Sequence, residues 1–489
     1  MPPSAVVIGV DSSTQSTKAV LTDADTGRTL AVGSAPHRVT GVAGARETDP
    51  EVWWDALRAA VGAGVDQAGI PSASVTGIAV AGQQHGLVVL GRDGRPLRHA
   101  LLWNDTRSAP QAAALTEEFG GPAAWTARTG SVPVASYTAT KWRWLRENEP
   151  ATADAAAAVR LPHDFLTERL AGVPATDPGD ASGTGWYATA TGAYDPGLLA
   201  LIGLDAALLP PVAATGAARA GTLTAAAAAE LGLPAGIAVA AGTGDNMAAA
   251  VGLGLGGAGL LDHPVLSLGT SGTVFAATRA RPASPALSGF AATDGTYLPL
   301  ACTLNCTLAV DKVAGLLGLG REAAAPGGEA VLLPYLDGER TPDLPTAAGL
   351  LTGLRHTTTR EQLLGAAYEG AVVTVLRALD EVLRACGPEA AAASDRPLRL
   401  IGGGARGRMW VETVRRLSGR AVVMPEAGEL VALGAAALAA AAAGGGDPVA
   451  VATAWGTGSG PVLPPVERDL ETWHRVTSVL DHATPALLS

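Results

Sequence analysis

Ala240-Ala241-Gly242-Thr243-Gly244-Asp245-Asn246-Met247 stands at the middle of the chain and decides how the rest is read. The apolar run that leads into it, Gly236-Ile237-Ala238-Val239-Ala240-Ala241, predicts a short buried strand. Glycines then turn the chain and deliver an Asp-Asn pair to the first turn of an alanine-rich helix over Met247 to Val251. A carboxylate placed there is aimed out of the fold, beside backbone N–H groups that favour phosphate oxygens. The plain alternative is that Asp245 only caps the helix, a common use of Asp. The flanking stretches choose between the two.

Upstream, Ala5-Val6-Val7-Ile8-Gly9-Val10 reads as a strand ending at Asp11, and Lys18-Ala19-Val20-Leu21-Thr22 returns as its partner. The tip between them, Ser12-Ser13-Thr14-Gln15-Ser16-Thr17, offers hydroxyls and backbone amides next to one carboxylate. That tip suits a Mg-bound polyphosphate, with the Asp meeting the cation through water; an ordinary Ser/Thr-rich hairpin is the alternative. Thr48-Asp49-Pro50-Glu51 opens a helix whose Trp53 and Trp54 are expected in the core. The strand Thr76 to Ala81 ends in Gly82-Gln83-Gln84-His85-Gly86, at the strand end where open α/β sheets place ligand contacts. His85 is expected there to donate to a hydroxyl or carbonyl of a ligand. A strand over Ala100 to Leu102 runs into Trp103-Asn104-Asp105-Thr106-Arg107, a mixture suited to holding a polyol. Residues 126–236 read as helices and loops without chemistry, and Asp177 and Asp180 as turn residues.

Downstream, Gly254 to Gly259 fits G-x-G-x-x-G, but a helix precedes it and a strand follows, the reverse of a dinucleotide loop. It is read as a flexible joint. Pro264 to Leu268 is a strand that turns at Gly269-Thr270-Ser271-Gly272-Thr273 and returns as Val274 to Ala277. This repeats the plan of residues 5–22 and implies two similar domains facing each other across a cleft. Val331-Leu332-Leu333-Pro334-Tyr335 leads to the polar loop Gly338-Glu339-Arg340-Thr341-Pro342. Thr359-Arg360-Glu361-Gln362 is a capping box opening a long amphipathic helix that stops at Gly387-Pro388. Residues 388–396 read as an exposed linker. Arg399-Leu400-Ile401 then runs into Gly402-Gly403-Gly404-Ala405 and a helix from about Arg408, the order suited to backbone approach to a nucleotide. Leu433 to Ala443 reads as a buried helix, and the tail as helical at best.

Composition narrows the classes. At 489 residues the chain exceeds one hydrophobic core. A formal charge of −11 argues against nucleic acid and anionic membrane as partners. Of 34 basic residues only Lys18, Lys141 and Lys312 are lysine. Three cysteines give neither a disulfide framework nor a metal spacing and fit a reducing compartment, so the expected location is cytoplasmic. Met1-Pro2-Pro3-Ser4 carries no basic leader.

These motifs together resemble the FGGY carbohydrate kinases of the actin-like ATPase superfamily. The resemblance is carried by Asp11 to Lys18, Ala81 to Gly86, Trp103 to Arg107, Gly244-Asp245-Asn246, Leu268 to Gly272, Leu333 to Pro342 and Ile401 to Ala405. It implies an α/β chain of two actin-like, ribonuclease H-like ATPase domains, a sugar-binding one over 1–252 and a nucleotide-binding one over 253–489. ATP and Mg²⁺ would occupy the cleft. The expected reaction is phosphorylation of D-xylulose at its 5-hydroxyl, with Asp245 as the base. Ribulose, gluconate or glycerol is the alternative acceptor, and a non-catalytic ATP- or sugar-binding protein is the rival of another class. By the same resemblance Gln84, His85, Trp103, Asn104, Asp245 and Asn246 hold the sugar. Ser13, Thr14, Lys18, Thr270, Ser271 and Gly272 meet the phosphates; Gly403, Gly404 and Ala405 meet the nucleoside. Asp11 and Asp245 lie at the Mg²⁺, through water. A homodimer is left open. Two features depart from the family: Gln84 stands where a bacterial relative has Met, and Gly428-Glu429-Leu430-Val431-Ala432 is more apolar than the usual nucleotide-side loop.

Overall fold

Val6, Val7, Ile8 and Val10 fill both faces of the strand Val6–Ser12, and every residue of it is buried. Such a strand belongs at the centre of a sheet covered on both sides. In the computed structural model, which describes residues 5–483 except 260, 262, 343, 345 and 389–394, it occupies that place. Met1 to Ser4 and most of the linker expected over 388–396 lie outside the described residues. The strand pairs antiparallel with Ser16–Asp23 and parallel with Val75–Gly82. Ser16–Asp23 pairs antiparallel with Thr29–Pro36, and Val75–Gly82 parallel with Ala238–Ala240. Arg219–Thr222 adds an antiparallel edge.

The second lobe repeats this pairing step for step. Val265–Leu268 is antiparallel to Gly272–Phe275, which is antiparallel to Tyr297–Thr303. Val265–Leu268 is parallel to Leu398–Ile401, which is parallel to Val422–Val423, and Val462–Leu463 forms the antiparallel edge. The strand–turn–strand repeat visible in the sequence is therefore one corner of a six-strand repeat. Each lobe also carries a capped helix between its third and fourth strands. Pro50–Ala68 is capped by Asp49, whose carboxylate accepts from Glu51 N at 3.0 Å. Arg360–Ala385 is held by the expected capping box, Gln362 N to Thr359 Oγ1 at 3.3 Å and Thr359 N to Gln362 Oε1 at 2.9 Å.

Two helices join the lobes. Asp245–Gly252 starts two residues earlier than the sequence pattern indicates, and Leu430–Gly444 follows the last parallel strand of the second lobe. The second of these lies on the first lobe's sheet, where Ala435, Ala436 and Ala439 pack with Val7, Ala79 and Ala81. Met247, Ala250 and Leu253 pack instead with Val265 and Phe275 of the second sheet. The approach is backbone to backbone. A Cβ on Gly9 would overlap Ala432 O, one on Gly252 would overlap Leu430 O, and one on Gly434 would overlap Ala248 O. Among the described residues no single helix is long and apolar enough to cross a membrane.

Residues 126–236 hold more than helices and loops. Ala158–Arg160, Tyr187–Ala188, Ala193–Tyr194 and Arg219–Thr222 are strands, too short to show alternation. The tail likewise contains the strand Val462–Leu463.

Candidate active site

The first hairpin keeps its Asp at the floor of the cleft. Asp11 is the sixth residue of the strand Val6–Ser12, is buried, and accepts a hydrogen bond from Ser13 Oγ at 2.6 Å. Burial pushes its carboxyl up to about 6; the Ser13 hydroxyl and Lys18 pull it back, and Glu429 raises it further. Asp11 lines a cavity of about 480 Å³ with Ala249, Ser267, Gly402, Gly403, Ala405, Arg406 and the 427–431 segment. Gly402 has φ 84°, and a Cβ there would sit 2.8 Å from Leu268 O. Gly403 faces open space, whereas Gly404 is turned to Leu268. So the glycine run divides its work: two residues let the turn close over the neighbouring strand, and Gly403 and Ala405 line the cavity. Gly269, Thr270 and Ser271 form the tip of the second hairpin and Gly272 opens its return strand; Thr307 Oγ1 fastens the tip by donating to Gly269 O at 2.7 Å.

Lys18, expected at phosphate, is held by Glu429 at 2.6 Å. Glu429 lines the cavity and starts the helix Leu430–Gly444 with φ 55°, a left-handed conformation unusual for Glu. Glu429 belongs to the loop that is more apolar than the family's usual one, and nothing local in the sequence marks its role. Its partner is 411 residues away, a distance over which no pattern carries.

Asp245 is the first residue of its helix, and Gly244 occupies the capping position. Asp245 Oδ1 accepts from Asn246 N at 2.8 Å and from Asn246 Nδ2 at 3.0 Å. Asn246 Nδ2 also donates to Gln84 Oε1 at 2.9 Å. Asp245 keeps some surface toward the cleft, yet protein crowds its carboxyl. That loss of water, with Asp11 and Asp180 nearby, pushes it up to about 7. A carboxyl half-ionised near neutrality is suited to taking a proton.

His85 sits at φ 65° and stacks on Tyr137 with ring centroids 4.8 Å apart. Its Nδ1 lies 2.6 Å from Gly183 O, so Nδ1 carries the proton and donates it. Burial holds the ring neutral, down to about 3, with Lys141 and Arg340 adding to the effect and the Gly183 carbonyl opposing it. Nε2 is thereby an acceptor, the reverse of the donor role expected from the sequence. Trp103 is 41% exposed and donates through Nε1 to Thr14 Oγ1 at 2.9 Å, which ties the polyol-type stretch to the first hairpin tip. Asn104 follows it. Asp105 and Arg107 instead belong to an ion-pair cluster with Glu47.

Asp177 and Asp180 divide. Asp177 does cap a turn, accepting from Gly179 N and Asp180 N, and it also accepts from Thr243 Oγ1 at 2.7 Å. Asp180 lies in that same turn, but it is fully buried, and its Oδ2 accepts from His163 Nδ1 at 2.7 Å. These residues come from separated segments with no shared period, so the sequence carried no signal for them.

Asp11 and Asp245 are crowded carboxyls whose ionisation burial opposes, and a cation beside them would relieve that. Among the described residues no three His, Cys, Asp or Glu side chains could hold a metal together. The donor set fits a Mg²⁺ that keeps water and phosphate oxygens as most of its ligands, which is how this ion binds.

Residues 6–252 match the N-terminal domain of the FGGY family of carbohydrate kinases and residues 265–443 its C-terminal domain, and the chain belongs to that family. It is 58% identical over 485 residues to a xylulose kinase of Streptomyces coelicolor, covering 99% of this chain and 97% of that one. Xylulose kinase of Streptomyces rubiginosus is also 58% identical, over 484 residues, covering 99% and 97%. Among solved structures, xylulose kinase of Bifidobacterium adolescentis superposes with a TM-score of 0.82 at 34% identity, covering 97% of this chain and 99% of that one.

Proposed function

We propose that this protein transfers the terminal phosphoryl group of ATP to the 5-hydroxyl of D-xylulose, with Asp245 as general base. The observation that carries this is the setting of Asp245: Oδ1 is held by Asn246, and the carboxyl is pushed up to about 7 beside the cleft. The relatives that match nearly the whole chain support the sugar. A sugar hydroxyl is a poor nucleophile, so rate comes mainly from positioning and charge neutralisation. The nucleoside is taken by the cavity beside Gly403 and Ala405. The two hairpin tips, with Ser13, Thr14, Thr270 and Ser271, receive the phosphates, and Lys18 can turn to them from Glu429. Asp11 would hold a Mg²⁺ through water, and the ion would supply charge neutralisation to the transferred group. His85 Nε2 accepts from a sugar hydroxyl, Trp103 and Asn104 border the sugar, and Asp245 receives the proton of the attacking hydroxyl. We take the sugar-side domain as 1–252 and the nucleotide-side domain as 253–489. A count of three cysteines suits the reducing cytoplasm as its location.

A coupled ADP-release assay over D-xylulose, D-ribulose, L-ribulose, gluconate and glycerol tests the assignment. D-xylulose should give the highest kcat/KM; an equal or higher value for another acceptor rejects it.

A further inference from the structure

Gln84 is only 4% exposed and lies between two carboxylates that it does not join in sequence. Its carbonyl Oε1 accepts from Asn246 Nδ2 at 2.9 Å, and that same nitrogen donates to Asp245 Oδ1 at 3.0 Å. At its other end Nε2 is buried without a well-formed hydrogen bond, and so is Asp180 Oδ1, yet the Gln84 amide already acts on the Asp180 carboxyl, opposing the rise that burial causes. The two converge over the backbone of Gly244. A Cβ built there would meet Gln84 Cγ at 2.7 Å, Asp180 Oδ1 at 3.0 Å and Gln84 Cδ at 3.1 Å. One unsatisfied group is a donor and the other an acceptor, and a buried polar atom left unpaired is costly. A small adjustment joins them.

The polarity of this string is fixed from both ends. Asp245 can only accept while ionised, so Asn246 must present its NH₂ to it, and Gln84 must present its carbonyl to Asn246. That leaves the Gln84 NH₂ for Asp180. Asp180 is anchored in turn by His163 Nδ1 at 2.7 Å, and His163 Nε2 lies 3.2 Å from Asp164 Oδ1. All three are buried, and Asp177 fastens the same turn to Thr243, two residues before the base.

We infer that Gln84, oriented by the Asp180–His163 pair, is a positioning residue that fixes the Asn246 amide and through it the acceptor direction of Asp245, and that it is not a sugar ligand. Its carbonyl is held by Asn246 and its buried NH₂ faces Asp180, so both ends of the amide are turned to protein. The inference rests on the reading of Asp245 as base.

The test is a double-variant cycle in the full-length protein. Gln84→Met removes the amide at nearly constant volume. It should lower kcat about tenfold while the KM for D-xylulose stays within about threefold. Asp180→Ala should do the same, and adding it to Gln84→Met should cost little more, because the two act through one string. Asp180→Asn, which can still offer an acceptor to Gln84, should recover most of the loss. A raised sugar KM with unchanged kcat in Gln84→Met makes Gln84 a sugar ligand and overturns the inference. Additive losses in the cycle, or full activity in Gln84→Met, also overturn it. Should Asp180→Ala fail to fold, Gln84→Met alone decides by its split between kcat and KM. Asp245→Asn, run in parallel, separates the two claims. Activity within tenfold of wild type rejects Asp245 as base, whereas an inactive Asp245→Asn with an additive cycle rejects only the string.

Discussion

Two helices start at equivalent points of the two lobes, each after the fifth strand of the repeat, and each presents an acid there: Asp245 in one, Glu429 in the other. Glu429 is given a cation, Lys18, at 2.6 Å, and both side chains are about one-third exposed. Asp245 is given an amide, and the charges that act on it, Asp11 and Asp180, share its sign. One fold position thus carries an ion-paired carboxylate in one lobe and, in the proposed reaction, a proton acceptor in the other. Reactivity here is set by which counter-charge is withheld, and the repeat supplies only the place.

The largest expected effect is on Asp245. Asp245→Asn should lower kcat by ~10²–10⁴, the usual worth of a general base, with a near-normal melting curve and surviving sugar binding. Activity within about tenfold of wild type breaks the comparison. His85→Ala should reduce kcat/KM for D-xylulose by ~1–3 kcal/mol, because a sugar hydroxyl loses its acceptor in a dry site. Unchanged kinetics with a lowered Tm would make the His85–Tyr137 stack purely structural. A pH profile sharpens the contrast. The reactive form of Asp245 is the ionised one and its pKa is raised to about 7, so kcat/KM should fall as pH drops through about 7. Asp11→Asn removes a like charge, and in kcat/KM of its residual activity the limb should move to lower pH. A limb that stays in place assigns the titration to another group. The smallest effect belongs to Glu429→Gln. A part-exposed ion pair is worth ~0–1 kcal/mol, so Tm should barely move, and the readable change should be in KM for ATP as Lys18 is released. A loss in kcat comparable to that of Asp245→Asn would erase the distinction between the two acids.

What the sequence disclosed follows the range over which its signals act. Both hairpins were legible because strand, turn and return lie within eighteen residues in the first case, 5–22, and fewer in the second. The capping box at Thr359 and the cap at Asp49 were legible because three or four residues define them. Asp245 was placed within the right turn, but the capping alternative could be dismissed only when Gly244 was found in the capping position. The long-range pairs at the site, Lys18 with Glu429 and His163 with Asp180, leave no local mark, since each partner looks like an ordinary surface residue or turn acid. The polarity of His85 was misread for the same reason: it depends on the carbonyl of Gly183, 98 residues away.

The glycines at the lobe crossing have a consequence for how this protein can vary. Gly9, Gly252 and Gly434 touch neither sugar nor nucleotide in the reading above, yet the smallest possible addition at any of them overlaps a carbonyl oxygen of the opposing helix or its neighbour. Backbone against backbone leaves no flexible side chain to give way. A random-mutagenesis screen for lost growth on the sugar would therefore score these positions beside Asp245. The resulting genetic map would trace a line along two helices and the strand beneath them instead of a spot around the chemistry, and a melting curve would be needed to tell the two kinds of allele apart.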